Sequence, residues 1–172
     1  FQTNSAQQVK ATPILVDGIV YLTAPDNLWA IDARSGRQIW RYQHPANDAF
    51  HIGHRGAAVH GDSVFLTTPD AHLLAFDRFN GKLKWNVEVA DSARGFWSTN
   101  APLVIGEHVI VGVSGDFDNL PGTLRAFDPA TGAAQWTFYS TPPAGTPDSL
   151  AGGSTGGQMW MTGTYDPGLD LL

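Results

Sequence analysis

Short apolar runs divided by turns recur along the chain and predict β-strands. Each pair of runs is rich in β-branched residues and is divided by Asp-Gly, Gly-Asp or Gly-Glu, which is typical of β-hairpins. No window of a dozen residues carries the 3.6-residue apolar period of a helix, so the pattern predicts an all-β protein. The paired runs are residues 14–16 and 19–22, residues 57–59 and 64–66, and residues 103–105 and 109–111.

A longer motif follows each predicted hairpin. An Ala-apolar-Asp trio leads through a glycine turn to a tryptophan eight residues after the aspartate, in residues 27–40, 72–85 and 123–136. The aspartates are 45 and then 51 residues apart, in or near the period of four-stranded propeller blades. We therefore predict blades in which the hairpin supplies two strands, the Ala-apolar-Asp segment a third, and the segment around the tryptophan a fourth.

The aspartate, the glycine and the tryptophan that all three repeats share have structural explanations. An aspartate before a turn can accept hydrogen bonds from backbone N–H groups two residues on, and glycine can adopt the positive φ of a tight turn. A tryptophan is a large apolar plate that suits packing between adjacent blades. We assign these roles to the three aspartates, to Gly36, Gly81 and Gly132, and to Trp40, Trp85 and Trp136, and look for chemistry elsewhere.

Composition narrows the classes of function. Ten basic and sixteen acidic residues give a net charge of −6 without a basic cluster, which disfavours nucleic acid as a partner. No apolar stretch approaches the ~20 residues of a membrane span. The absence of cysteine excludes disulfides and thiolate metal sites.

The number of repeats bears on domain organisation. Three units and the start of a fourth are fewer than the about four to eight blades of a closed propeller. The chain also begins at Phe1 and ends in the apolar run 169–172. We therefore expect residues 1–172 to form one partial β-propeller domain of about three and a half blades, truncated at both ends.

Several motifs lie between the repeats, and together with them carry a resemblance. They are ATPI at 11–14, HRG at 54–56, TNAPLV at 99–104, VGVSG at 111–115 and MWMTGTYDP at 159–167. In this order and spacing they resemble the N-terminal part of the pyrroloquinoline quinone (PQQ) dependent alcohol dehydrogenase family.

The resemblance implies a fold and an activity. The expected fold is an eight-bladed propeller with PQQ on its axis and a bound calcium or lanthanide ion. The expected activity is oxidation of a small-molecule alcohol to an aldehyde or ketone, with electrons passed to a cytochrome c or a quinone. A periplasmic location is implied as well.

Two residues are implied as the main cofactor contacts. Arg55 matches the family's arginine that meets a PQQ carboxylate, a task suited to a bidentate guanidinium. Trp160, five residues before Tyr165, matches the indole that stacks on the quinone ring. A buried ion pair for Arg55 and a core position for Trp160 are the structural alternatives.

Further contacts with the cofactor follow from the same resemblance. Thr99, Ser114 and Gly115 match positions that hydrogen-bond the edge of the quinone. Gln158 falls where the family often has a threonine that reaches PQQ. Asp116 is included among the cofactor-binding candidates because of its place in the same loop.

The metal site departs from the family's pattern. Phe117 occupies the position of a metal-binding glutamate, and a phenyl ring cannot ligate calcium. A one-residue shift of the loop would place Asp116 on the ion; otherwise Asp116 caps a turn or faces solvent. The family's metal-binding asparagine and catalytic aspartate would lie beyond Leu172, so no general base is assigned within the chain.

Two other interpretations remain open at this stage. His51 and His54 are three residues apart but lack a third metal ligand, so we interpret them as ordinary loop histidines, with His54 close to the cofactor rim. A non-catalytic propeller that presents loops to protein partners would fit the blade repeat equally well, but it would have no evident need for Arg55 and Trp160.

Overall fold

Three four-stranded antiparallel sheets make up the computed structural model, which describes residues 1–3, 9–45, 53–115, 120–143, 145–147 and 156–172. The strands of the first sheet are β1 (Ile14–Val16), β2 (Ile19–Ala24), β3 (Asn27–Asp32) and β4 (Gln38–Gln43). Those of the second are β5 (Ala58–His60), β6 (Ser63–Thr67), β7 (His72–Asp77) and β8 (Leu83–Glu88). Those of the third are β9 (Leu103–Ile105), β10 (His108–Val113), β11 (Thr123–Phe127) and β12 (Ala134–Tyr139).

Each sheet follows the order of the chain, with every strand paired to the one before it. This is the strand order of a propeller blade, and it confirms the predicted all-β fold and the predicted origin of all four strands in each blade. The described residues contain one short helical segment, a 3-10 turn at Ser92–Arg94. Helix is therefore minor, as the absence of a helical period predicts.

The turn between the third and fourth strands uses the aspartate as expected. The Asp128 carboxylate accepts hydrogen bonds from the N–H groups of Ala130 and Thr131 at 2.9 and 2.8 Å. Gly132 closes that turn at a φ of 74°. Equivalent turns are closed by Gly36 at 70° and Gly81 at 74°. The repeated motif thus encodes a local turn, which fixes the alignment of the last two strands in each blade.

Two of the three repeat tryptophans join neighbouring blades. Trp40 is 8% exposed and its Nε1–H donates to the Arg78 carbonyl of the second blade at 2.9 Å. Trp85 donates in the same way to the Pro129 carbonyl of the third blade at 3.1 Å. Trp136, at the same place in the third blade, is 37% exposed, and no described blade follows the third one to offer it a carbonyl, so its packing between blades stays a prediction.

Contact between blades is a second reason for glycine in the repeat turn. A Cβ on Gly81 would lie 2.7 Å from Cδ2 of Trp40, whereas a Cβ on Gly36 would come no closer than 3.8 Å to another atom, the backbone nitrogen of Phe1. The two glycines have nearly the same positive φ, so they differ mainly in this contact between blades.

We expect Gly81→Ala to destabilise the protein more than Gly36→Ala. Both substitutions place a side chain at positive φ, at a cost of about 1–2 kcal/mol. Gly81→Ala also forces Trp40 to move, which adds roughly 1–3 kcal/mol of overpacking. Urea denaturation compares the free energies of unfolding, and equal losses in the two variants would contradict the proposed contact.

Two apolar clusters hold the three blades side by side. The first lies between blades one and two and includes Tyr21, Trp40 and Phe76; the second lies between blades two and three. The second includes Phe65 and Phe127, both buried. These contacts between neighbouring sheets fix the blades, and with them the loops that connect their strands, relative to one another.

Candidate functional site

The site residues implied by the sequence lie at one end of the blades. Arg55 precedes β5 and Thr99 precedes β9, while Ser114 follows β10 directly. The first two strands of a blade are antiparallel, so the start of the first strand and the end of the second are at the same end. Three residues from two blades are therefore brought to a common edge.

Arg55 is held by Thr99 and stacked on Trp160. Its backbone N–H donates to the Thr99 carbonyl at 3.0 Å, and its Nη1 donates to Thr99 Oγ1 at 2.5 Å. The guanidinium carbon lies 4.5 Å from the centroid of the Trp160 ring, within the range of a cation–π contact. Burial lowers the pKa of the Arg55 guanidinium from its ordinary value, but arginine remains charged at neutral pH.

These contacts address the structural alternatives for the pair. Within the described part of the chain, no carboxylate forms a salt bridge with Arg55. Trp160 is 39% exposed, so it is not a core aromatic in this structure. The arrangement places a positive charge over the ring of a partly exposed indole.

Ser114 and Gly115 lie beside the segment that leads to Thr99. Ser114 exchanges two backbone hydrogen bonds with Trp97, both at 2.9 Å. Its side chain is fully buried, and Oγ has no hydrogen-bond partner among the described residues. The Gly115 carbonyl accepts the N–H of Leu120, and a Cβ on Gly115 would lie 2.8 Å from Leu120 Cδ1.

Gln158 completes the connection between this loop and Trp160. Its Nε2 donates to the Leu120 carbonyl at 2.6 Å, and its Oε1 is buried without a partner in the described residues. The segment that carries Gln158 approaches the third blade closely at two glycines: a Cβ on Gly112 or on Gly122 would lie 2.0 Å from a carbonyl oxygen of this segment. Neither position would accept a side chain without displacing it.

Direct contacts, the intervening residues Trp97 and Leu120, and short stretches of chain connect the described candidates: Arg55, Thr99, Ser114, Gly115, Gln158 and Trp160. Asp116 and Phe117 lie outside the described residues. In the ranges that are described, no group of three His, Asp or Glu side chains could hold a metal ion.

His54 lies in the connection between β4 and β5, as predicted, but it is not an ordinary loop histidine; His51 lies outside the described residues. His54 is 1% exposed, and both ring nitrogens are hydrogen-bonded. Burial lowers the pKa of His54 from 6.5 to about 4, with a smaller opposing effect from its bond to Thr67. The imidazole is therefore neutral at physiological pH.

Sequence reasoning missed the threonines around this histidine, although a signal was present. Thr23 and Thr67 occupy the same place in the second strand of their blades, inside otherwise apolar runs, and both are buried. A buried hydroxyl needs a hydrogen-bond partner. Two such threonines at one repeat position indicate a shared polar partner between the blades.

Almost the whole chain matches one protein-family model. The model described as "PQQ: Glucose/ethanol/alcohol dehydrogenase, beta-propeller domain" matches residues 2–172. The chain belongs to this PQQ family. The blades described above are therefore those of a quinoprotein propeller, as the resemblance implies.

Curated relatives within the family are alcohol dehydrogenases. The quinohemoprotein alcohol dehydrogenase ADH-IIG of Pseudomonas putida is 36% identical over 191 residues, covering 95% of this chain and 26% of that protein. The 1-butanol dehydrogenase (quinone) of Thauera butanivorans is 38% identical over 138 residues, covering 74% of this chain and 22% of its own length. The chain spans about a quarter of the length of the relatives it matches.

Solved structures agree with this relationship. The structure of ADHIIG from Pseudomonas putida HK5 has a TM-score of 0.83 and 33% identity, covering 95% of this chain and 27% of that one. BamB from Moraxella catarrhalis has a TM-score of 0.64 at 22% identity, covering 84% of this chain and 42% of its own, and this likeness concerns the fold alone. Within the described ranges, no helix is long and apolar enough to cross a membrane.

Proposed function

We propose that this chain forms part of a PQQ-dependent dehydrogenase that oxidises an alcohol to an aldehyde or ketone. The observation that carries the proposal is the Arg55 guanidinium, bonded to Thr99 and stacked on the exposed indole of Trp160. A flat anionic cofactor needs a fixed positive charge at its edge and an aromatic surface for its face. These two requirements meet in one pair of side chains.

Two buried polar atoms without hydrogen-bond partners in the described part of the chain support PQQ as the ligand of this site. Ser114 Oγ and Gln158 Oε1 are buried without hydrogen-bond partners in the described residues, and such atoms cost free energy unless something else satisfies them. A ligand with carbonyl and ring N–H groups could accept from Ser114 and donate to Gln158. The residues present therefore suit PQQ in charge, shape and hydrogen bonding.

The residues of the chain bind and orient, while the redox chemistry belongs to the cofactor. When bound, PQQ would supply a two-electron oxidising centre that side chains lack. Arg55 would neutralise a carboxylate, Thr99 would hold Arg55 in place, and Trp160 would restrict the plane of the ring. Ser114 and Gln158 would set its rotation within that plane.

The metal and the electron acceptor are finer parts of the proposal. We propose a calcium or lanthanide ion near Asp116 on the basis of the loop sequence. A europium-containing methanol dehydrogenase, which is 29% identical with a TM-score of 0.74, supports a metal ion of this kind. The match covers 83% of this chain and 27% of that chain. A relative named 1-butanol dehydrogenase (cytochrome c) supports a cytochrome as acceptor. A quinone acceptor and a periplasmic location complete the proposal.

The test uses the complete protein that carries this sequence. Addition of PQQ with calcium, or with a lanthanide, is expected to quench tryptophan fluorescence, because Trp160 would lie against the cofactor. Primary alcohols are then expected to drive dye reduction. A protein that neither binds PQQ nor shows quenching would overturn the proposal and leave a scaffold propeller as the alternative.

A further inference from the structure

The backbone around Arg55 is closed by the side chain of the preceding residue. The Gly56 N–H donates to His54 Nδ1 at 3.1 Å, so a hydrogen bond joins the two residues on either side of Arg55. Because Nδ1 accepts this bond, the ring proton must be on Nε2. The Thr23 hydroxyl, at 3.2 Å, can also donate to Nδ1 and connects the ring to the first blade.

The other ring nitrogen leads to the residue that holds the guanidinium. His54 Nε2 donates to Thr67 Oγ1 at 2.9 Å, and the Thr67 hydroxyl donates to the Asn100 carbonyl at 2.6 Å. Asn100 directly follows Thr99, which accepts hydrogen bonds from the backbone and the side chain of Arg55. These hydrogen bonds and the intervening peptide bonds form a closed circuit through His54, Thr67, Thr99 and Arg55.

We propose that His54 is a positioning residue for the cofactor site, because the neutral imidazole aligns Arg55 and Thr99 with each other through both of its nitrogens. This inference rests on the proposed PQQ site. His54, Thr67 and Asn100 are 1%, 0% and 2% exposed, so solvent cannot replace the bonds that a substitution removes. Loss of this circuit of hydrogen bonds should make the orientation of Arg55 less fixed without removing its charge.

Binding of PQQ to the complete protein, with calcium present, measures the effect by equilibrium dialysis. His54→Leu is expected to weaken PQQ binding about tenfold, by analogy with the lower end of the losses caused by removing residues that orient metal ligands. His54→Asn keeps an acceptor for the Gly56 N–H and is expected to recover part of that loss.

A double-mutant cycle separates positioning from a general structural effect. If His54 acts through Arg55, His54→Leu should cause no further loss of PQQ affinity in an Arg55→Ala background. Equal losses in both backgrounds would overturn the inference. Wild-type protein that fails to bind PQQ would overturn the proposed function instead, so the two failures are distinguishable.

A second pair of variants avoids replacing the histidine. Thr67→Val removes the link from His54 to Asn100, whereas Thr68→Val removes hydrogen bonds to His72 at the adjacent buried threonine. Both changes should lower the melting temperature, but only Thr67→Val should weaken PQQ binding. Unchanged binding in Thr67→Val, or equal weakening in both variants, would contradict the inference even if His54→Leu does not fold.

Discussion

Replacing Arg55 with alanine is expected to weaken PQQ binding to the complete protein about 100-fold. Hydrogen bonds to charged groups are worth about 1.5–3 kcal/mol, and about 1.4 kcal/mol corresponds to a factor of ten in affinity. The substitution also removes the stack on Trp160, which lies 4.5 Å away. Fluorescence titration of PQQ into wild-type and variant protein gives the two dissociation constants.

Arg41 offers a matched control for this substitution. Its guanidinium carbon lies 5.6 Å from the centroid of the Trp29 ring, and its Nε donates to Asn27 Oδ1 at 2.5 Å. Arg41→Ala therefore removes an arginine–tryptophan stack and a hydrogen bond within the first blade, and neither contact involves a residue of the candidate site. PQQ affinity should be unchanged; a similar loss in both variants would show that the effect of Arg55→Ala is not specific to the site.

The buried histidine is expected to make the protein lose stability in mild acid. The pKa of His54 is lowered from 6.5 to about 4 in the folded state, so between these values the unfolded chain binds a proton that the folded chain does not. The full contribution of neutral His54 is present above pH 6.5, and about 3 kcal/mol of it is lost as the pH falls to 4. Urea denaturation at several pH values measures this slope.

His54→Asn should flatten the profile over the same range, although the variant is less stable at neutral pH. Thr68→Val is the control for the loss of buried hydrogen bonds. The Thr68 side chain also helps to lower the pKa of Asp70, so the profile of this variant should run parallel to that of the wild type from pH 6.5 down to about 5, above the range in which the carboxylates titrate. Interactions with Ser35 and Thr131 lower the pKa values of Asp32 and Asp128 from 3.8, so their effects appear only at lower pH. A wild-type profile that is flat from pH 6.5 to 4 would contradict the buried neutral histidine.

Local sequence predicted the blades because each strand and turn depends on neighbours in the chain. Asp128 bonds to N–H groups two and three residues away, and Gly132 supplies the positive φ that the turn needs. The alternating apolar runs then align by hairpin formation. All three blades could be anticipated in this way, whereas the family followed from the resemblance of the motifs that lie between the repeats.

Contacts between blades could not be predicted from the same information. Trp40 and Trp136 occupy equivalent places in the repeat, yet one is buried against the second blade and the other is 37% exposed. The difference depends on whether another described blade lies beside each sheet. No property of the motif itself distinguishes the two tryptophans.

The order and spacing of its motifs were enough to identify the all-β repeat of this chain, its quinoprotein family, and Arg55 and Trp160 as residues of interest. These features are local, or they follow from resemblance position by position. Tertiary structure alone decided that Arg55 bonds to Thr99, 44 residues away, and that His54 is buried between threonines of two blades. Such contacts depend on how the blades pack, and packing joins segments that the linear pattern of apolar and polar residues leaves unrelated.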